Sequence, residues 1–125
     1  MSADELDLFP QDERTGRRPG ETVELSGMWA LGHRPKAVEA RLFWFTRGRG
    51  IEDIVVVASQ AVPSPAEAGE QVFKFTLPEG PYSCSGRLVS IKWAVELVAD
   101  AEAARWEFTL GPDGREIALG SGGGR

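Results

Sequence analysis

Residues 73–97 read FKFTLPEGPYSCSGRLVSIKWAVEL, and their spacing decides the fold class. Val89, Ile91, Trp93, Val95 and Leu97 fall on one parity, with Ser90, Lys92 and Glu96 on the other. That period of two marks a half-buried strand, since a helix would scatter the same apolar residues around its circumference. Upstream, Phe73, Phe75 and Leu77 alternate with Lys74 and Thr76, until Pro78, with no N–H to give a ladder, ends the run. Gly80, Pro81, Ser83, Ser85 and Gly86 make an irregular crossing between these two strands. Trp93 shares its parity with four aliphatic residues and is read as core, so truncation to alanine is expected to cost about 3–5 kcal/mol.

Working outward, the same alternation recurs. Residues 22–31 place Val23, Leu25, Trp29 and Leu31 on one parity, and Gly27 among them suggests a bulge or a close backbone approach. Gly32, His33, Arg34 and Pro35 mark a turn. Residues 38–46 form a strand whose Leu42, Phe43, Trp44 and Phe45 make both faces apolar, as in a central strand or one that meets a partner. Residues 51–62 carry the β-branched run Ile54, Val55, Val56 and Val57 and are read as another strand. Pro63 and Pro65 make residues 63–69 a surface loop. Residues 99–104 read as a short linker with room for one helical turn. Ala104, Trp106, Phe108 and Leu110 then alternate, and a turn at residues 111–114 leads to Ile117 and Leu119 as a closing hairpin.

About seven strands with glycine and proline punctuation indicate an all-β, immunoglobulin-like sandwich of antiparallel sheets. The expected division is a flexible N-terminal arm over 1–18, the sandwich domain over 19–119 and a flexible glycine-rich tail over 120–125. Leu6, Leu8 and Phe9 are the apolar residues of that arm, free to dock on the domain or on a partner.

Composition narrows the function. With 42% hydrophobic and 26% charged residues the chain is ordinary for a globular protein, and no apolar run approaches the length needed to span a bilayer. The acidic N-terminus lacks the basic start and apolar stretch of a secretory signal, so a cytoplasmic location is expected. A net charge of −5 disfavours nucleic acid. Cys84, the single cysteine, cannot form an internal disulfide and suits a reducing compartment. His33, the sole histidine, sits in a turn and is read as solvated, which excludes a site of several imidazoles. Glu52 and Asp53 are adjacent, so on a strand they would point to opposite faces, which is wrong for a carboxylate pair acting on one bond; they are read as flanking a loop. No phosphate-cradling or nucleophile motif occurs. No catalytic residue, metal or cofactor is expected.

The segment also resembles the arrestin superfamily, in which a phenylalanine-rich strand and a Leu-Pro precede a Pro/Ser loop, a glycine and an alternating strand with a central aromatic. Phe75, Leu77, Pro78, Pro81, Ser83, Gly86, Ile91 and Trp93 occupy those places, and Pro19-Gly20-Glu21-Thr22-Val23 followed by Gly27 is similar to the opening strand of such domains. The resemblance covers about one lobe where arrestins have two, so functions of an interlobe groove do not carry over. A PPxY segment and residues matching a charged polar core are both missing. It implies a non-enzymatic adaptor that holds a protein or peptide partner on edge strands or loops. Arg47 and Arg49, in a basic loop, and Phe43 and Trp44, on opposite faces of one strand, are the candidate partner-binding residues; a homodimer through an edge strand is a further expectation. The rival readings are a structural subunit of a multimeric assembly and a small-molecule-binding sandwich.

Overall fold

The computed structural model describes residues 5–48, 50 and 52–117. Among these there are nine strands and no helix, so no helix is long and apolar enough to cross a membrane. In chain order they are β1 Glu5–Pro10, β2 Gly16–Arg17, β3 Thr22–Ala30, β4 Val38–Gly48, β5 Ile54–Ala61, β6 Ala68–Thr76, β7 Cys84–Ser85, β8 Val89–Ala99 and β9 Glu102–Leu110. They form two sheets of unequal width. The narrow sheet has the order β1-β3-β6, and the wide one runs β2-β9-β8-β4-β5, with β7 also paired to β8. All pairs are antiparallel except β2 with β9.

The alternation in the sequence becomes the core between these sheets. Val23, Leu25 and Trp29 of β3 and Phe73 and Phe75 of β6 face Leu42 of β4, Trp93, Val95 and Leu97 of β8, and Phe108 and Leu110 of β9. Trp93 is fully buried, as its parity predicts. Its ring lies 6.0 Å from that of Phe108, and its indole N–H donates to the Pro81 carbonyl at 2.6 Å, so burial leaves no polar atom of the side chain unpaired. Trp29 repeats the device, donating to the Ala66 carbonyl at 2.9 Å. Pro81 follows a cis peptide bond from Gly80 in the crossing between β6 and β8.

Gly27 is a close approach and not a bulge, because β3 pairs in unbroken register with both β1 and β6. A β-carbon there would stand 2.8 Å from Phe73 Cε2 and 3.1 Å from Leu97 Cδ2. The missing side chain lets the two sheets meet at this point.

Four expectations need correction. Residues 5–17 are not a flexible arm. β1 pairs with β3 from Glu5 opposite Ala30 to Pro10 opposite Leu25, and Leu6 and Leu8 pack on the core. Arg17, 2% exposed, donates from Nη2 to Asp12 Oδ1 and to the Arg14 carbonyl, each at 2.6 Å, while its guanidinium lies 5.4 Å from the Trp106 ring centroid. Its Nε finds no acceptor among the described residues. Residues 99–104 hold no helical turn: β8 and β9 are joined at Asp100 and Ala101, with Ala99 opposite Glu102. Asp100 takes φ 53°, a conformation that a short polar side chain tolerates by bonding locally. The loop after β5 ends earlier than residue 69, since Ala68 and Gly69 already pair with Ala30 and Trp29. Among the described residues no closing hairpin forms on β9. Ile117 instead bridges Cys84 in parallel, where the Ile117 N–H donates to the Ser83 carbonyl at 3.0 Å. Leu119 and the glycine-rich tail lie outside the described residues, as do Arg49 and Ile51.

Gly27→Val should lower the unfolding free energy by about 1–3 kcal/mol, as overpacking of a closed core does, with urea denaturation as the measurement. Wild-type stability in that variant would mean that the sheets do not meet there.

Candidate functional site: a bare sheet edge

A sheet edge presents unpaired N–H and C=O groups, and natural sheets protect such edges with charge, proline, brevity or cover. Among the described residues there are four outer edges, and three of them follow that rule. β1 carries Glu5, Asp7 and Pro10; β6 carries Glu70 and Lys74; β2 is two residues long. β5 differs. Its sequence, IVVVASQA, contains no charge, proline or glycine over eight residues.

Both faces of β5 are also open. Ile54 is 61% exposed and Val56 50%, with Val55 and Val57 near two-fifths. The cause is the width mismatch: three strands cannot cover the full path of the wide sheet, and its last strand is left beyond the narrow sheet. One side-chain bond spans the opening, from Gln60 Nε2 to the Lys74 carbonyl of β6. β5 is held to β4 along its inner side, with a register shift that leaves Val57 as an extra residue between Val56 opposite Phe43 and Ala58 opposite Leu42. Such a bulge bends the strand and increases its twist without adding charge to it.

The outer face of the wide sheet extends this apolar surface. Phe43 and Phe45 of β4 and Ala94 of β8 form a second buried cluster, the two rings 5.8 Å apart. Their cover is cationic. Arg105 lies 5.0 Å from the Phe43 ring and 5.1 Å from the Phe45 ring, and Arg47 lies 5.2 Å from the latter. Guanidinium groups lying against ring faces shield them from water while keeping their own charge hydrated. Both arginines have a carboxylate partner, Arg105 pairing with Glu96 at 3.4 Å and Arg47 with Glu107 at 3.7 Å, and nearby Arg41 pairs with Glu39 at 3.0 Å. A cleft of about 130 Å³ between Arg41, Arg105, Phe43, Ile54, Val56 and Glu96 connects the covered cluster to the exposed strand.

The residues named from sequence are therefore dispersed. Phe43 is buried beneath Arg105 on the outer face, whereas Trp44 is half-buried on the inner face against the main core. Arg47 is exposed at the end of β4 and already engaged with Glu107 and Phe45. The structure brings Phe43 and Arg47 to one face and separates Trp44 from them. β5 is absent from the residues named from sequence, although four consecutive β-branched residues inside an uncharged run of eight are a legible signal.

The groups weighed for chemistry are placed elsewhere. Cys84 is buried on β7. Glu52 and Asp53 lie in the connection from β4 to β5, where the Asp53 N–H donates to Thr46 Oγ1 at 3.0 Å. No cluster of three metal-ligating side chains occurs among the described residues. His33 is exposed, and its Nε2 lies 3.2 Å from Asp100 Oδ2 at the β8–β9 turn. Asp100 Oδ1 also accepts the Lys36 N–H at 3.0 Å and the Ala37 N–H at 3.3 Å. The His33 hydrogen bond, joined by those backbone donors, outweighs partial desolvation and holds the Asp100 carboxyl below its ordinary value of 3.8. The pair fastens a turn.

No protein-family model and no curated protein matches this chain. Among solved structures it is similar to Spo0M, a sporulation control protein from Bacillus subtilis, with a TM-score of 0.60 at 15% identity. The alignment covers 88% of this chain and 50% of that one, so the chain spans half the length of the Spo0M chain it matches. The likeness shows the fold, an arrestin-like β-sandwich. A β-glucosidase from Listeria innocua in complex with gluconolactone also aligns, with a TM-score of 0.48 at 12% identity over 89% of this chain and 16% of that chain, which carries no argument.

The Asp100 turn gives a pH signature. Because the folded carboxyl titrates below 3.8, its contribution is present above that value and is lost as pH falls through the folded pKa. Asp100→Asn, which keeps a residue tolerant of positive φ, should melt below wild type at pH 7, with the gap closing below about pH 4. Thermal melts from pH 2 to 7 check this. A gap that persists unchanged at pH 2 would remove the ionised carboxylate from the account.

Proposed function

We propose that this chain is a non-enzymatic, arrestin-like interaction module of the cytoplasm that takes an extended segment of a protein or peptide partner onto β5. The observation that carries this reading is the bare edge: eight residues without charge or proline, open on both faces, beside three edges that are protected. Backbone groups on such a strand supply affinity to an added strand, and alternate side chains supply selectivity. Val56 and Ile54 would meet the side chains of the added strand on the outer face, next to the cleft walled by Arg41 and Arg105.

The non-enzymatic reading is supported by the placing of the reactive side chains. His33 is committed to Asp100 at a turn, and Cys84 is closed off from solvent. The single buried thiol also supports the cytoplasmic location.

A lysine at an exposed position of β5 puts a charge where an added strand must lie, while leaving the core untouched. In affinity capture, Val56→Lys should recover a β5-bound partner at least about tenfold less than wild type. Val72→Lys, at a half-exposed position of β6, should recover it equally. Equal recovery by all three proteins would contradict binding at β5.

A further inference from the structure

We propose that the β5 edge is completed by a second copy of this chain, the two β5 strands pairing antiparallel about a two-fold axis. This rests on the reading of β5 as the binding edge and names the strand it accepts. The distribution of charge favours this edge. A chain of net charge −5 repels its copies over most of its surface. β5 is the one edge among the described residues where a copy can lie alongside without bringing any charge into the ladder.

Orientation follows from the residues just outside the strand. Glu52 and Asp53 precede it, while Val62 and Pro63 follow it, so the acidic pair marks only one end. A parallel stack would set each Glu52 and Asp53 beside its copy. Antiparallel pairing moves the two acidic pairs to opposite ends of the ladder, roughly 30 Å apart at about 3.3 Å per residue and far beyond the screening length in physiological salt. The antiparallel arrangement also closes, since each copy uses on the other the one bare edge found among the described residues.

The bulge fits the same arrangement. On its β4 side, Ile54 and Val56 share the outer face with Phe43 and Phe45, and after the extra residue Ser59 and Ala61 share it with Arg41 and Glu39. With the two-fold axis at the bulge, Val56 of one copy stands opposite Ser59 of the other, and Ile54 opposite Ala61. Outer-face side chains then meet outer-face side chains along the ladder, as antiparallel partners must. The result is one sheet continuous across both copies, with the Phe43, Ile54 and Val56 surface of each copy flanking the axis.

Sedimentation velocity of the full chain over a micromolar to high-micromolar range provides the first test. Wild type should pass reversibly from monomer to dimer. Val56→Lys should weaken the dimer on the order of tenfold or more, while Val56→Thr, uncharged and still β-branched, and Val72→Lys should retain it. Circular dichroism of each variant confirms that the sandwich is kept. Orientation is tested by mild oxidation of cysteine variants, with native Cys84 buried. Ile54→Cys mixed with Ala61→Cys should cross-link, whereas Ile54→Cys alone should not, its copies being roughly 23 Å apart.

Cross-linking of Ile54→Cys with itself, or a dimer that survives Val56→Lys, would overturn the proposal. So would a wild type that stays monomeric throughout. In that last case, loss of partner capture by Val56→Lys would leave β5 as an edge for a different protein, whereas unchanged capture would remove both readings.

Discussion

The contact of the two sheets at Gly27 governs the rest of this molecule. Because β3 lacks a side chain there, Phe73 of the narrow sheet and Leu97 of the wide one fill the space where a β-carbon would stand. At that point β3 meets Leu97 of β8, while β1 lies against β8 and β9. With the narrow sheet so placed, its three strands seal Trp93, Val95 and Leu97 completely and leave β5 uncovered. The closed core and the open edge have one geometric origin. Widening the cover by one strand would stabilise the monomer and remove the bare edge at β5.

Polar groups are placed to keep this asymmetry rigid. Trp93 and Trp29 bury their rings and hand their N–H groups to carbonyls of connecting segments, so each indole also fixes the crossing beside it. Arg17 does the same for the N-terminal segment by joining Asp12, the Arg14 carbonyl and the Trp106 face. Its partner Asp12 is half exposed, which keeps one end of the pair hydrated and avoids the full penalty of burying two ions. On the opposite face, Arg105 and Arg47 cover Phe43 and Phe45 and are themselves neutralised by Glu96 and Glu107. The wide sheet's outer face is thus closed by cations next to a strand that has none.

Much of the sandwich was legible in the sequence because period-two alternation reports burial on one face directly. Val23, Leu25, Phe73, Phe75, Trp93, Val95 and Leu97 are all buried as their parity requires. Val89 shares that parity yet is 43% exposed, since the start of β8 pairs with the far end of β4 and runs past the narrow sheet. β1 is less legible for a different reason. Only Leu6 and Leu8 mark its inner face, and Phe9 points outward among Glu5 and Asp7, so the short apolar stripe is hidden by charge. The Asp100 turn was hidden as well, because its conformation depends on His33, Lys36 and Ala37, over sixty residues away in sequence. The site was the least legible part. Local alternation identifies strands but not which strand ends a sheet, and the meaning of the Ile54, Val55, Val56 and Val57 run depends wholly on β5 being last in the order.

Among the described residues, the outer side of β5 pairs with no other strand, and only the Gln60 side chain reaches from β5 to β6. Residue-resolved amide hydrogen exchange, at a dilution low enough to keep the chain monomeric, addresses this most directly. The account predicts that the alternate β5 amides pointing away from β4 exchange at rates near those of an open chain, while those of Trp93, Val95 and Leu97 exchange only through global unfolding. Protection of every β5 amide to the level of β8 under those conditions would contradict it.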